Sequence, residues 1–370
     1  MSNRAIPDDE VPDNEIVDNE VSGNKVSGNI ASDNDAPDTE TPDGDNSLHP
    51  YQKLTPELVL DAIESTGLIT DLRIYPLNSY ENRVYQIGIE GSEPIIAKFY
   101  RPERWSDEQI LEEHEFCQQL VDADVPVVAP QQNSAGETLL DFQGFKFSLY
   151  ERRGGRAPDL GDLDSLHILG RLVARIHAVG ATQDFKHRPH LDIESFGSKS
   201  HQFISENFIP MELATAYNSL CEDLLGAIKE LFAQVPYTAI RTHGDCHAGN
   251  ILWRDDSPHF VDLDDARMAP AIQDIWMFLS GDRQQQTAQL SELADGYNQF
   301  YDFDPRQLPL AEALRSLRIM HYSAWLARRW QDPAFPHNFP WFNTVRYWSE
   351  HVLELREQWA LLNEPPLQVF

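Results

Sequence analysis

About two-thirds of the way along the chain, residues 243–250 read His-Gly-Asp-Cys-His-Ala-Gly-Asn. Ile251-Leu252 follow at once, and a second apolar run, Phe260-Val261, ends on Asp262. The surrounding sequence is helical in period, so the stretch Ile251–Leu263 reads as a β-like insertion in a helical body, with polar groups at both ends. A hydroxyl nucleophile needs an acceptor for its proton, and the carboxylate of Asp245 can serve. Five residues on, the amide oxygen of Asn250 can reach a divalent cation carried by phosphates, and the strand-end carboxylate of Asp262 can share it. Phosphoryl transfer needs this division, because it depends mostly on positioning and charge neutralisation. Two plainer readings stand beside it. Asp and Asn can cap an ordinary polar loop. His243, Asp245 and His247 also form an H-x-D-x-H triplet able to ligate zinc or iron in a hydrolase, although no other His/Asp cluster supports that. Cys246 and His247 read as structural or solvent-facing.

The rest of the chain divides into three parts. Residues 1–47 run in pentads from Ile6 (IPDDE, VPDNE, IVDNE and so on), with thirteen Asp/Glu, two Lys/Arg, no aromatic residue and no Leu. One small apolar residue in five supports neither a helical stripe nor a strand face, so a disordered acidic tail is expected. A pentad solenoid would need a bulky residue at each repeat centre, where this sequence has Asp or Gly. Residues 48–150 read as a small β-rich half. Thr55 and Pro56 open a helix that Gly67 stops. Strands are expected at Arg83–Ile89, Pro94–Tyr100 and Lys146–Tyr150, with one helix at Ser106–Asp122. After Gly154-Gly155, residues 151–370 form a larger helical half, with helices over Leu163–Val179, 210–234, 284–301 and 308–331. The expected fold class is therefore α+β and bilobal, with a ligand cleft between the halves.

Composition narrows the function. A net charge of −31 over 370 residues argues against nucleic-acid binding and against docking on anionic membranes. Three scattered cysteines, Cys117, Cys221 and Cys246, suit a reducing compartment. No secretory signal and no run of about 18 apolar residues is seen, so a cytoplasmic, monomeric protein is expected.

The spacing H-x-D-x-x-x-x-N is that of a kinase catalytic loop. With it, the strings Leu77–Gln86, Lys98–Trp105, His243–Arg254, Val261–Arg267 and Asp332–Pro336 resemble the aminoglycoside phosphotransferase group of kinase-like enzymes, and more closely its bacterial stress response protein kinases. The resemblance covers about residues 48–370. It implies a kinase-like fold and transfer of the γ-phosphoryl of ATP, with Mg²⁺, to Ser/Thr hydroxyls on proteins and on the chain itself. It casts Asp245 as catalytic base and Asn250 and Asp262 as metal ligands. Lys98 would contact the ATP phosphates, oriented by a carboxylate for which Glu113 is preferred over Glu112 and Glu115. Ser79 and Asn82 would lie in the phosphate-covering loop, and Tyr150, Glu151 and Arg152 at the adenine hinge. Asp274 would brace the catalytic loop.

Two departures from ordinary protein kinases matter. Asn78–Arg83 contains no glycine, and no Ala-Pro-Glu or long activation loop separates Asp262 from Asp274. Substrate choice would then fall to the helical half, where Arg328-Arg329-Trp330, Trp341 and Phe342 either line a binding face or simply pack. From chemistry alone the acceptor is only a hydroxyl. A small-molecule kinase for an amino alcohol, sugar or aminoglycoside and a non-catalytic nucleotide-binding scaffold remain alternatives.

Overall fold

The computed structural model describes residues 51–255 and 257–369. The acidic pentad segment therefore lies outside the described residues. Helix α1 (Pro56–Glu64) starts where Thr55 accepts the amide of Leu58, with Pro56 in its first turn. Strands β1 (Thr70–Pro76), β2 (Arg83–Ile89) and β3 (Ile95–Phe99) follow. Helix α2 (Asp107–Asp122) opens on a capping box between Ser106 and Gln109, and strands β4 (Leu140–Phe142) and β5 (Phe145–Glu151) come next. The five strands pair antiparallel in the order β1-β2-β3-β5-β4. One sheet face buries Ile87, Ala97, Phe99, Phe147 and Leu149 against Val59, Ala62 and Ile63 of α1. Register places Lys98 opposite Ser148 and Val84, so its side chain leaves the opposite face, toward the rest of the molecule.

The second half begins with α3 (Leu163–Gly180). A π-turn at Glu194–Ser198 runs into α4 (Lys199–Asn207), and α5 (Met211–Gln234) follows. Short strands then carry the polar block: β6 (Ile240–Thr242), the hairpin β7 (Ile251–Arg254) and β8 (Ser257–Phe260), and β9 (Arg267–Ala269), which pairs with β6. Helices α6 (Ile272–Ile275), α7 (Arg283–Tyr297), α8 (Leu310–Arg328), α9 (Ala334–Asn338) and α10 (Val345–Leu362) complete it. Two glycines let α3 and α7 approach closely: a Cβ on Gly170 would meet the carbonyl oxygen of Leu293 at 2.2 Å, and one on Gly296 that of His167 at 2.1 Å. Helix α8 is buried around nearly its whole circumference, which makes it the spine of this half.

The helices expected over 54–67, 106–122, 163–179, 210–234, 284–301 and 308–331, and the strands near 83–89, 94–100 and 146–150, all appear within a few residues. Strand β1 was not expected. It is an edge strand with most side chains exposed, and it bulges where Leu72 takes a φ of 68°. Strands β4, β6 and β9 are three residues each, too short to show a period.

Candidate active site

The loop joining β6 to β7 is held from beneath by Asp274 of α6. Its Oδ2 accepts the amide of His243 at 2.8 Å and its Oδ1 accepts that of Gly244 at 2.9 Å. His177 of α3 meets Oδ2 at 3.0 Å, and Tyr297 of α7 holds the other ring nitrogen at 2.7 Å. The Gly244 carbonyl accepts from Gln273 at 2.9 Å. Gly244 has a φ of +82°, and a Cβ there would lie 2.0 Å from the carbonyl oxygen of Asp265, so only glycine fits. The His243 ring meets the carbonyl of Val261 at 3.1 Å, tying the loop to the strand end that carries Asp262.

This scaffold places Asp245 in the interior, 2% exposed. Arg318 of α8 donates Nη1 to its Oδ1. Oδ2 lies 3.4 Å from Nε2 of His247 and 3.4 Å from Nδ2 of Asn250. Burial alone would push the carboxyl up, but Arg318 and His247 outweigh it and hold it far below the usual carboxylate range. Asn250 donates Nδ2 to the Asp245 carbonyl at 2.9 Å, which leaves its amide oxygen for a ligand. Cys246 is fully buried, whereas the His247 side chain is 15% exposed.

Across the cleft, Lys98 lies 3.0 Å from Asp262 and 3.0 Å from Asp264. Burial disfavours the charged ammonium, yet Asp262, Asp264 and Glu113 raise its pKa well above the ordinary lysine value. Asp262 sits in a left-handed turn, φ 60°, and its side chain remains 31% exposed. Asp264 is buried among Lys98, Arg104 and the Asn82 amide (3.1 Å). Of the three helix carboxylates, Glu112 accepts the backbone amides of residues 186–188, Glu115 is exposed, and Glu113 is buried beside Lys98. Burial pushes Glu113 up to about 7, with Lys98 opposing. Its ion pair is to Arg188 at 3.8 Å, whereas Lys98 pairs directly with Asp262 and Asp264.

Part of this constellation borders a cavity of about 390 Å³ between the sheet and the loop, which Asp245 and Asp264 do not line. Ser79, Asn82, Lys98, Glu113, Tyr150, Asn250 and Asp262 all reach it, brought together from positions up to 183 residues apart. Ser79 does so from a turn closed by its own hydroxyl, which donates to the Asn82 carbonyl at 3.1 Å. Arg152 does not reach it. Its guanidinium is exposed and donates to Gln86 at 2.8 Å, and Glu151 and Arg153 border the cavity instead. Arg152 lies one residue past the end of β5, where the strand no longer sets side-chain direction, and it turns to Gln86 of β2.

A second cavity, about 970 Å³, meets the first at Gly249 and opens between the loop of Asp245, α8, α10 and the C-terminal segment. Arg315, Arg318, Glu312, Glu354 and Glu357 face it. The residues Arg328–Trp330, Trp341 and Phe342 do not. Phe342 is buried against Trp330 at 4.9 Å between ring centroids, Arg328 covers Phe203, and Arg329 pairs with Glu81.

Several residues of the site carried no recognisable role in the sequence. Arg318 falls within a helical run with nothing to mark it. Arg104 and Asp264 lie inside strings that looked familiar, but three aspartates follow Val261 within four positions and spacing alone does not sort them. Glu81, in the turn between β1 and β2, accepts Nε1 of Trp325 from α8 at 2.7 Å and Nη2 of Arg329, just past the end of α8, at 3.1 Å. That pairing spans 244 residues or more, and no local pattern encodes it.

Among the described residues no helix is long and apolar enough to cross a membrane. Comparison with known proteins bears on the site as a whole. Residues 73–310 match the family model described as "Phosphotransferase enzyme family". Stress response kinase A of Escherichia coli O157:H7 is 44% identical over 326 residues, 88% of this chain and 98% of that protein. The serine/threonine protein kinase RdoA of Salmonella typhimurium LT2 is 43% identical over 320 residues, 86% of this chain and 97% of that one. Among solved structures, the amicoumacin kinase hAmiN superposes with a TM-score of 0.66 at 18% identity, covering 87% of this chain and 98% of that one. A microcompartment-associated aminopropanol kinase gives 0.64 at 15% identity, covering 85% and 100%. At those identities the two structures speak for the fold alone, which is bilobal, α+β and kinase-like.

Proposed function

Because this chain belongs to the phosphotransferase enzyme family and is a kinase, we propose that it moves the γ-phosphoryl of ATP onto Ser/Thr hydroxyls of proteins, its own included, as part of a stress response. The names of its 43–44% identical relatives, a stress response kinase and a serine/threonine protein kinase, support the protein acceptor. The observation that carries the chemistry is the meeting of two cavities at Gly249, with Asp245 and Asn250 in the loop beside it and Lys98 and Asp262 across the smaller one.

In this reading ATP occupies the smaller cavity. Adenine lies along the strand that ends at Tyr150 and Glu151, and the phosphates run under Ser79 and Asn82 to Lys98. The acceptor enters through the larger cavity. Its hydroxyl oxygen forms a bond to the γ-phosphorus while the bond to the β-phosphate oxygen breaks, and ADP departs with that electron pair. The hydroxyl proton passes to Asp245. A carboxylate held this far below neutrality is a weak proton acceptor, so its main task is to orient the hydroxyl until transfer is well advanced.

Asn250 and Asp262 would hold Mg²⁺, which neutralises phosphate charge when bound. The donor set suits a hard cation: one free amide oxygen and one partly exposed carboxylate. Among the described residues no three His, Cys, Asp or Glu side chains converge on one point, which fits a metal shared with nucleotide phosphates and water.

A small-molecule acceptor is the second reading. The larger cavity favours it, since Glu312, Glu354 and Glu357 face it and would suit a cationic alcohol. The two readings separate in one assay with γ-labelled ATP and Mg²⁺, comparing wild type with Asp245→Asn. Label on protein in the wild type, reduced by about 10²–10⁴-fold in the variant, supports the protein kinase. Bound ATP with no labelled protein would shift the acceptor to a metabolite.

A further inference from the structure

The two oxygens of Asp245 have different surroundings. Oδ1 receives Arg318, and Oδ2 faces His247 and Asn250. Arg318 comes from the middle of α8, 73 residues further along, and is 4% exposed. Its Nη1 also lies 3.6 Å from Sδ of Met277, and Leu314 and Tyr322, one turn before and after it on α8, are buried. A buried guanidinium among such neighbours costs several kcal/mol of desolvation that an apolar side chain would avoid. Packing therefore does not account for it. Its position does: Arg318 and His247 both line the larger cavity, and both reach the buried Asp245 behind them. Trp325 of the same helix and Arg329 at its C-terminal end bind Glu81, two and three turns on, so α8 anchors both the loop of Asp245 and the turn over the phosphate side.

We propose that Arg318 is a positioning residue for phosphoryl transfer. By pairing with Oδ1 it fixes the rotation of the Asp245 carboxylate, so that Oδ2, on the His247 side, is the oxygen that meets the acceptor hydroxyl. This rests on the reading of Asp245 as the base. Arg318 touches neither nucleotide nor the transferred group and acts through the carboxylate. Misplacing a reacting group by about 1 Å costs on the order of 10²-fold in rate, and that is the size of loss expected without the pair.

The test measures transfer from γ-labelled ATP to myelin basic protein, with nucleotide affinity determined separately by titration. Arg318→Ala should lower kcat by about 10²-fold, leaving acceptor KM and nucleotide affinity within about twofold. Arg318→Lys should retain more activity than Arg318→Gln, because it keeps the charge. Added guanidinium, but not urea, should restore part of the Arg318→Ala rate. In an Asp245→Asn background, Arg318→Ala should cost nothing further, since residues that act as a unit are not additive. A full kcat in Arg318→Ala, a loss confined to acceptor KM, or losses that multiply in the double variant would overturn the proposal. If Arg318→Ala does not fold, equal rates for the Lys and Gln variants would do so. Full activity in Asp245→Asn alone would instead remove the reading of Asp245, and the two failures are thereby told apart.

Discussion

The two cavities that meet at Gly249 differ in how completely their charges are paired. Around the smaller one, carboxylates and cations are interlocked: Asp262 and Asp264 with Lys98, Asp264 and Asp265 with Arg104, Asp265 with Arg267, Glu113 with Arg188. Around the larger one, Glu312 pairs with Arg315 and Glu364 with Arg283, but Glu354 and Glu357 face the opening with no lysine or arginine ion pair among the described residues. Interlocked charges hold a geometry before any ligand arrives, and phosphoryl transfer relies on such preorganisation. Loosely held carboxylates leave a surface to be defined by whatever binds. In the proposed reading, the fully paired wall holds the nucleotide, and the rim at Glu354 and Glu357 is left for the acceptor to define.

The sharpest way to break that comparison is Asp262→Ala. If the smaller cavity is a preorganised site for a metal-bound nucleotide, this variant should bind Mg²⁺-nucleotide much more weakly and lose transfer by about 10²-fold or more. Titration with a non-hydrolysable ATP analogue, with and without Mg²⁺, checks it. Unchanged metal-dependent binding would take Asp262 out of the site.

Next in size is the latch between the halves. Glu81 is buried, and although burial raises its pKa, Arg329, Arg104 and Arg101 keep it below the ordinary glutamate value. Breaking a buried pair from one side strands the partner charge, at a cost of about 3–5 kcal/mol. Glu81→Gln should lower stability by an amount in that range in denaturant titration. The sign with pH follows. A depressed folded value contributes stability above the ordinary glutamate value and loses it as pH falls, so wild type and variant should converge in acid. A gap that persists unchanged at low pH would mean that shape rather than charge holds the turn.

Legibility in the sequence divides along the same line. Asp245, Asn250, Asp262 and the apolar residues around them stand within 20 positions, because a loop and a hairpin carry them, and a short motif shows that much. Lys98 announces itself as the charge that ends the apolar run Pro94–Ala97. Glu113 could be told from Glu112 and Glu115 only by a helix rotation that tertiary packing decides, with Glu112 drawn to the amides of residues 186–188. Arg152 falls just past the end of β5, where strand register no longer decides which way a side chain points. Arg318 and the Glu81 contacts were invisible, because each joins segments 73 to 248 residues apart and neither partner is unusual in its own helix or turn. The larger cavity is lined mostly by helix faces, whose period reports burial but not what a rim will bind.

The smallest effect probes that rim. Burial and the neighbouring Glu357 push Glu354 up to about 7, and the nearby His351 is no counter-charge, since burial lowers it to about 4. A carboxyl raised in the folded state keeps its proton while the unfolded chain has released it. Stability therefore falls as pH rises from the ordinary glutamate range to about 7, and stays lower above that. The Glu354 side chain is 40% exposed, so water screens much of this. Glu354→Gln removes the ionisation altogether. Its melting temperature should match wild type near pH 5 and exceed it at pH 8, by on the order of 1–2 °C. A variant less stable than wild type at pH 8 would mean that Glu354 is held by a cation in the folded protein. The acceptor wall would then be interlocked like the nucleotide wall, and the contrast between the two would fail.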